Sequence, residues 1–336
     1  MKDGDLRRAI YAGLEYILGR QTSEGYWLDW SLPAGPSDMW TTAFVGYRLS
    51  FLGASGRGLL DKALRKAARW LSHSMLSDGG WGYNSGVGAD ADSTAHSILF
   101  LSRIPGSAPP ASYERLLAFQ CADGGFATFR PFGDNRSWSV SHPDVSAVAL
   151  LALLTRLTRS DPAIEAGIQY SLRCRTADGV WNSFWWDSSL YATLANLRLL
   201  NSVRAVPIEP TLRSLCTTIP ETPFWAALFL ESLTILRALE SFLLCRHVVE
   251  RLIRDQASNG SWISTPTLRL TRRDCFEPWN SADSGLLFAD PHRVFTTAAV
   301  ISALSAFANV QGYPDSTFQA RRWHLRASPR TGVPSR

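Results

Sequence analysis

The sequence predicts an all-helical fold, an (α/α)6 barrel of six helix hairpins, and three observations carry that expectation. One short turn pattern recurs along most of the chain, segments of helical period flank its copies, and a lone helix pair cannot bury its apolar face. The pattern is a Gln or other polar residue, three spacers, Gly, one residue, then an aromatic. It reads Gln21-TSE-Gly25-Tyr26-Trp27, LSDGG-Trp81, Gln120-CAD-Gly124-Gly125-Phe126, TAD-Gly179-Val180-Trp181 and Gln256-ASN-Gly260-Ser261-Trp262. The aromatics fall roughly 45 to 80 residues apart, the range of helical arrays. The longest interval has room for a degenerate sixth copy ending IPETPF-Trp225.

The first hairpin illustrates the elements. LRRAIYAGLEYILGRQ precedes the first turn and SDMWTTAFVGYRLSFL follows it, both with apolar residues at helical spacing. Asp-Gly, Asn-Gly and Gly-Gly supply the positive φ that stops a helix. About twelve helices result, and they close most economically into an inner ring wrapped by an outer one. The barrel is expected over residues 1–312. The segment 313–336, with Arg321, Arg322, Arg326, Arg330, Pro329 and Pro334, is expected to be a flexible Arg-rich tail.

Composition excludes several function classes. A 46% hydrophobic content in 336 residues is ample for one large core. The net charge of +5 is carried almost entirely by Arg, Lys2, Lys62 and Lys66 being the only lysines, and no run is dense enough for a nucleic-acid footprint. Five scattered cysteines (Cys121, Cys174, Cys216, Cys245, Cys275), never in CxxC spacing, argue against a zinc or disulfide framework and for a reducing compartment. The polar N-terminus MKDGDLRRAIYAG gives no sign of a signal peptide, so a cytoplasmic location is expected. The most apolar stretch, Phe224 to Cys245, carries Glu231, Arg237 and Glu240, which argues against a membrane span and leaves at most peripheral contact.

The segment after the second turn holds the chemistry: Asp90-Ala91-Asp92-Ser93-Thr94-Ala95-His96 ahead of an apolar run. Part of it reads as an ordinary helix cap. Together, the turn repeat and this segment resemble the squalene–hopene cyclases and related class II terpene cyclases, whose QW repeats decorate an (α/α)6 barrel. The resemblance covers about residues 5 to 310. The same barrel serves protein prenyltransferases, so the repeat alone speaks for fold more than for chemistry. The family carries D-x-D-D-T-A at the start of an inner helix; Asp90, Asp92, Thr94 and Ala95 match, and Ser93 replaces the last Asp. The resemblance implies that Asp92 donates a proton to an alkene. Such an acid must stay neutral near pH 7, which burial favours, and needs a neighbour that stabilises the carboxylate left behind. Asp90, Ser93 and His96 are the local candidates, His96 being one helical turn from Asp92.

Ser141-His142-Pro143-Asp144-Val145-Ser146-Ala147-Val148 resembles the D-V-T-A-H stretch of hopene cyclases, where the His bonds the acid. Asp144 fits, but Val148 stands at the His position, so His142 or His96 takes its place. An acid in the first helical turn after a Pro also explains Asp144. Aromatic faces stabilise cations; Trp181, Trp185, Trp186 and Tyr191 form the densest set and resemble the W-x-S-x-Y-x-T region of bacterial diterpene cyclases. Trp81, Trp138 and Phe295 are further pocket candidates. Arg269 in TLRL and Arg293 in DPHRVFTTA resemble segments of those cyclases and suit a diphosphate.

The resemblance implies a linear isoprenoid substrate, farnesyl or geranylgeranyl diphosphate, cyclised with the diphosphate retained. It implies no built-in cofactor and no metal site, Mg2+ arriving only with the diphosphate. Family members normally pair this barrel with a second one. Here either a short substrate fits one barrel, or a homodimer or partner subunit closes the pocket. Two other readings remain: a non-catalytic barrel that binds an isoprenoid or a protein, and a zinc prenyltransferase-like enzyme using Asp274, Cys275 and His292.

Overall fold

Twelve helices alternate between an outer and an inner layer, in a computed structural model that describes residues 3–52, 57–104, 108–131, 134–205, 209–237 and 241–310. The Arg-rich segment 313–336 lies outside the described residues. The outer helices are α1 (Asp3–Gly19), α3 (Arg57–His73), α5 (Pro110–Leu117), α7 (Pro162–Arg173), α9 (Glu209–Thr217) and α11 (Ser241–Arg254). The inner ones are α2 (Met39–Leu49), α4 (Ala91–Leu101), α6 (Pro143–Leu153), α8 (Leu190–Ser202), α10 (Pro223–Leu236) and α12 (Val294–Val310). Each inner helix packs on the next, and α12 returns to α2, so the ring is closed. Most outer helices lie over the inner helix before them, and α1 lies over α12, joining the last hairpin to the first.

Sequence pattern sorts the two layers. In α3, Leu60, Ala63, Leu64, Ala67 and Leu71 are buried at helical spacing while Asp61, Lys62, Arg65 and Arg69 are exposed. The α12 segment, VFTTAAVISALSAFANV, has no polar face, and residues on every side of it are buried. No helix among the described residues is long and apolar enough to cross a membrane. The five cysteines form no disulfide.

The recurring turns act as clamps. The indole N–H of the turn Trp donates to a carbonyl near the end of the preceding outer helix: Trp27 to Ile17 (2.9 Å), Trp81 to Leu71 (2.8 Å), Trp181 to Ser171 (2.7 Å) and Trp262 to Leu252 (2.7 Å). The turn Gln reaches across to the next hairpin. Gln21 donates to the Ala63 carbonyl (2.9 Å), Gln120 to Ala163 (2.8 Å) and Gln256 to Ala9 (2.9 Å), so the third bond closes the ring. In the fourth turn Arg175 does the same work by bonding Thr211 Oγ1 at 2.6 Å. The fifth connection departs from the sequence reading: Thr222 caps α10, and Trp225 already belongs to that helix rather than to a turn.

A hydroxyl hook sets the inner helices in common register. Thr42, Thr94, Ser146, Thr193 and Thr297, each the fourth residue of its helix, bond the backbone N–H of the turn aromatic. The five hooked helices therefore start at the same level, and α10, capped by Thr222, lies between two of them. The second residues are Trp40, Asp92, Asp144, Tyr191, Phe224 and Phe295. The sixth are Phe44, His96, Val148, Ala195, Leu228 and Ala299; the ninth are Tyr47, Leu99, Leu151, Arg198, Glu231 and Ser302. Spacing of four and three residues keeps all of these on one helix face, and nine of them line one interior cavity. The barrel interior is thus three stacked layers.

The connections into the inner helices form the mouth, and they carry the two β-hairpins. β1 (Asp29–Leu32) pairs antiparallel with β2 (Gly35–Ser37), and β3 (Leu268–Thr271) with β4 (Gly285–Phe288). A bridge from Trp186 to Leu268 ties the second hairpin to the fourth turn.

Candidate active site

The start of α4 divides its acids between two tasks. Asp90 is the helix cap: its carboxylate accepts from the Ser93 N–H (2.7 Å) and the Ser93 hydroxyl (2.7 Å). Burial pushes Asp90 up to about 7, Ser93 opposing and the Asp92 charge adding. Asp92, relieved of capping, lies in the top layer of the interior. Its Oδ2 accepts the Trp40 indole N–H at 2.8 Å. His96 Nδ1 lies 3.5 Å from Oδ1 and 3.0 Å from the Asp92 carbonyl oxygen. With that Nδ1 as donor, Nε2 is left as an acceptor, 3.5 Å from the Tyr191 hydroxyl.

Asp144 stands in the same layer on the neighbouring helix. Its Oδ2 accepts the Phe184 and Trp185 N–H groups (2.9 and 3.0 Å), while its buried Oδ1 has no partner. Burial lifts Asp144 to about 6, against those N–H bonds, and the Asp92 charge adds to the rise. His142 precedes α6 and stacks on Phe184, ring centroids 3.6 Å apart. Burial pushes it down to about 3, so it is neutral, and its Nε2 has no partner.

Aromatic faces surround the acids. Trp186 stacks on Tyr191 (4.3 Å), Phe224 (5.2 Å) and Phe295 (5.9 Å), and presents an edge contact to Trp30 at 6.0 Å. Phe295 also stacks on Phe44 at 3.6 Å and lies 4.9 Å from Trp40. Buried Asp29 positions this side: its carboxylate accepts the N–H groups of Trp30, His292, Val294 and Phe295. Asp290 accepts the Thr296 N–H and hydroxyl. Burial raises both Asp29 and Asp290. Trp30 is held at φ 49, an uncommon conformation for a bulky residue, over the mouth.

The structure brings Asp92, Asp90, Ser93, His96, Asp144, Trp186, Tyr191 and Phe295 together. It separates others. Trp81 and Trp181, expected at the pocket, are turn clamps bonded to helix carbonyls, which fixes them between the layers. Trp138 and Trp185 form a second aromatic group, 5.2 Å apart, their indole N–H groups bonded to the Thr271 carbonyl and Thr128 Oγ1. Arg269 is buried on that side, with its backbone N–H on the Trp185 carbonyl. Arg293, at φ 55 before α12, turns toward Ser261 Oγ (3.5 Å) in the sixth turn. Trp30, Trp40, Phe44, Phe224 and Asp29 went unread in the sequence; aligning α2 and α4 on their hydroxyl hooks would have placed Trp40 level with Asp92. The zinc reading finds no support in the residues: Asp274 pairs with Arg272 at 2.9 Å, and no three His, Cys, Asp or Glu side chains group as a metal site among the described residues.

No family model matches the chain. It is 26% identical over 215 residues to a probable squalene–hopene cyclase from Sinorhizobium fredii, covering 53% of this chain and 33% of that protein. It is 28% identical over 170 residues to drimenyl diphosphate synthase from Streptomyces showdoensis, covering 48% of this chain and 31% of the synthase. The chain thus spans about a third of the length of the curated relatives it matches. The solved type II terpene cyclase MstE from Scytonema superimposes with a TM-score of 0.79 in its complex with geranylgeranyl dihydroxybenzoate (substrate), at 23% identity, covering 91% of this chain and 98% of that one. That likeness is one of fold. In sequence the chain is similar to squalene–hopene and drimenyl diphosphate cyclases over about half its length, and in barrel architecture to a type II terpene cyclase.

Proposed function

We propose that the chain cyclises a linear isoprenoid by protonating its terminal alkene. One observation carries this reading: Asp92 stands in the top interior layer, held by the Trp40 N–H and flanked by His96, among aromatic faces. The Asp92 O–H bond breaks as the proton bonds the terminal alkene carbon, and the alkene π electrons form the new C–H bond. A tertiary cation remains, and the next alkene attacks it. The Trp40 N–H stabilises the carboxylate left on Asp92. Trp186, Phe295 and Tyr191 offer π faces to the cation. Val148 occupies the position at which the squalene-type family carries a histidine, and His96 occupies the same layer one helix away. His96 is accordingly the positioning residue.

The substrate is a prenyl chain with an anionic head, farnesyl or geranylgeranyl diphosphate, and Mg2+ enters only as the companion of a diphosphate. The named relatives support an isoprenoid, since one makes drimenyl diphosphate and the Scytonema neighbour binds a geranylgeranyl benzoate. Residues 1–312 act as one barrel in the cytoplasm, and a second copy or partner subunit is the alternative means of covering the mouth. The test is incubation of wild-type and Asp92→Asn protein with both diphosphates, with products read by mass spectrometry before and after phosphatase. A cyclised product that keeps its diphosphate, reduced at least about a hundredfold in Asp92→Asn, is expected. Undiminished cyclisation by Asp92→Asn would remove the acid from this role, whereas no turnover by either protein would favour the reading of the chain as a binding barrel.

A further inference from the structure

We infer that Arg48 and Arg198, at the deep end of the barrel interior, form a subsite for a phosphate-type oxyanion, the head group of the isoprenoid. The prenyl chain invoked here rests on the cyclase reading; the anion site does not. Both arginines converge on a single carboxylate, Glu231 of α10. Arg48 NH1 donates to Oε2 at 2.6 Å, and Arg198 donates to Oε1 through Nε (2.9 Å) and NH2. Among the described residues, these two guanidinium groups share one carboxylate, which leaves a surplus positive charge only partly offset by the Phe44 ring face 5.0 Å from Arg48. Arg48 is 2% exposed, and its Nε has no partner. Burial, then the Arg198 charge, lower Arg48 below the usual guanidinium value despite Glu231. An uncompensated buried charge is costly, and a second anion would relieve it.

A cavity adjoins the surplus charge. Tyr47, Arg48 and Arg198 line one part of it, His96 and Tyr191 another, and Phe44, Leu99, Val148 and Leu194 supply apolar walls. A guanidinium fork suits a phosphate oxyanion, and the walls suit a hydrocarbon. From Trp40 to Arg48 along α2, and from Tyr191 to Arg198 along α8, the rise is roughly 10 to 12 Å at 1.5 Å per residue. The cavity's lining reaches His96 and Tyr191, the neighbours of Asp92, but not Asp92 itself, so a prenyl chain with its head on the arginines is directed toward the acid's layer and the side chains between must part to admit it. The acid and the head group act at opposite ends of one folded chain.

Calorimetric titration with inorganic pyrophosphate, farnesyl diphosphate and farnesol tests this on wild type, Asp92→Asn and Arg48→Met. Arg48→Met leaves Glu231 paired with Arg198 and removes only the surplus charge. Wild type and Asp92→Asn are expected to bind pyrophosphate alike, and Arg48→Met about tenfold or more weakly. The preference for farnesyl diphosphate over farnesol should shrink with it. Unchanged affinities in Arg48→Met, or no pyrophosphate binding by wild type, would overturn the subsite. If Arg48→Met does not fold, Ala195→Asp places a tethered carboxylate in the cavity one turn from Arg198. It should raise the Tm and displace pyrophosphate, and unchanged binding would again overturn the inference. Binding is read without turnover. A protein that binds pyrophosphate through Arg48 yet cyclises nothing would sink the cyclase reading alone.

Discussion

Asp92 and Asp90 have the same side chain two residues apart, and the helix start gives them different work. Asp90 satisfies the Ser93 N–H and hydroxyl, so the carboxylate facing the interior is Asp92, with Trp40 as its N–H donor. Trp40→Phe keeps an aromatic ring and removes that N–H. It is expected to lower the turnover number about tenfold with little change in KM, because the lost bond matters most when the carboxylate forms; steady-state kinetics on the cyclised product checks this. An unchanged turnover number would show that Trp40 only fills space. Asp92, His96 and Asp144 were legible in the sequence because their motifs are local. Trp40 was not, since it meets Asp92 across 52 positions and its neighbours read as an unremarkable apolar helix. Trp81 and Trp181 misled for the opposite reason: a tryptophan that clamps a helix end has the same letter as one that faces a cation.

At the level of elements, the turn is the unit that builds the barrel, and its glycine and glutamine have separable costs. Gly260 sits at φ +87, and a Cβ there would lie 2.2 Å from the Ala12 carbonyl oxygen on the first helix. Gly260→Ala is expected to cost at least about 3 kcal/mol, combining backbone strain with that clash. Gly58→Ala, in α3 with nothing within 4 Å, should be neutral or slightly stabilising. Gln256→Ala loses bonds to Ala9 and Gly260 and should cost about 1–3 kcal/mol. Urea denaturation of the three variants separates the terms. The turns and helix count were readable because each copy repeats its own local chemistry. The β-hairpins at the mouth, the fifth connection and the Asp29 bonds to the start of α12 were not, because they depend on partners far along the chain.

Across the whole molecule, carboxylates gather where the inner helices begin. Asp38 and Asp90 cap α2 and α4, Asp144 lies in the first turn of α6, and Asp29 bonds the first N–H groups of α12. Helix N-termini favour that charge, yet burial outweighs them and raises Asp90 to about 7 and Asp144 to about 6, with Asp29 and Asp290 moving the same way. The folded state therefore holds protons that the unfolded chain releases. This stability is fully present below the ordinary carboxylate value and is lost as pH rises through about 6 to 7. His142 acts oppositely: its contribution is full above its ordinary value of 6.5 and falls as pH drops toward about 3. The Tm is expected to rise by a few degrees from pH 8 to 6.5, and His142→Gln should extend that rise to lower pH; thermal scans across pH decide it, and a flat profile in His142→Gln would mean that the aspartates titrate normally. The ring also restricts how such a protein can change over evolutionary time. An open array tolerates the gain or loss of one hairpin at its end. Here the bond from Gln256 to Ala9 joins the last turn to the first helix, so an added hairpin has no seat and a deleted one leaves a gap. Copy number is frozen at six, and heritable novelty is confined to the layer residues and the mouth connections, where one acid, one aromatic or one hairpin can be exchanged while the frame stays closed.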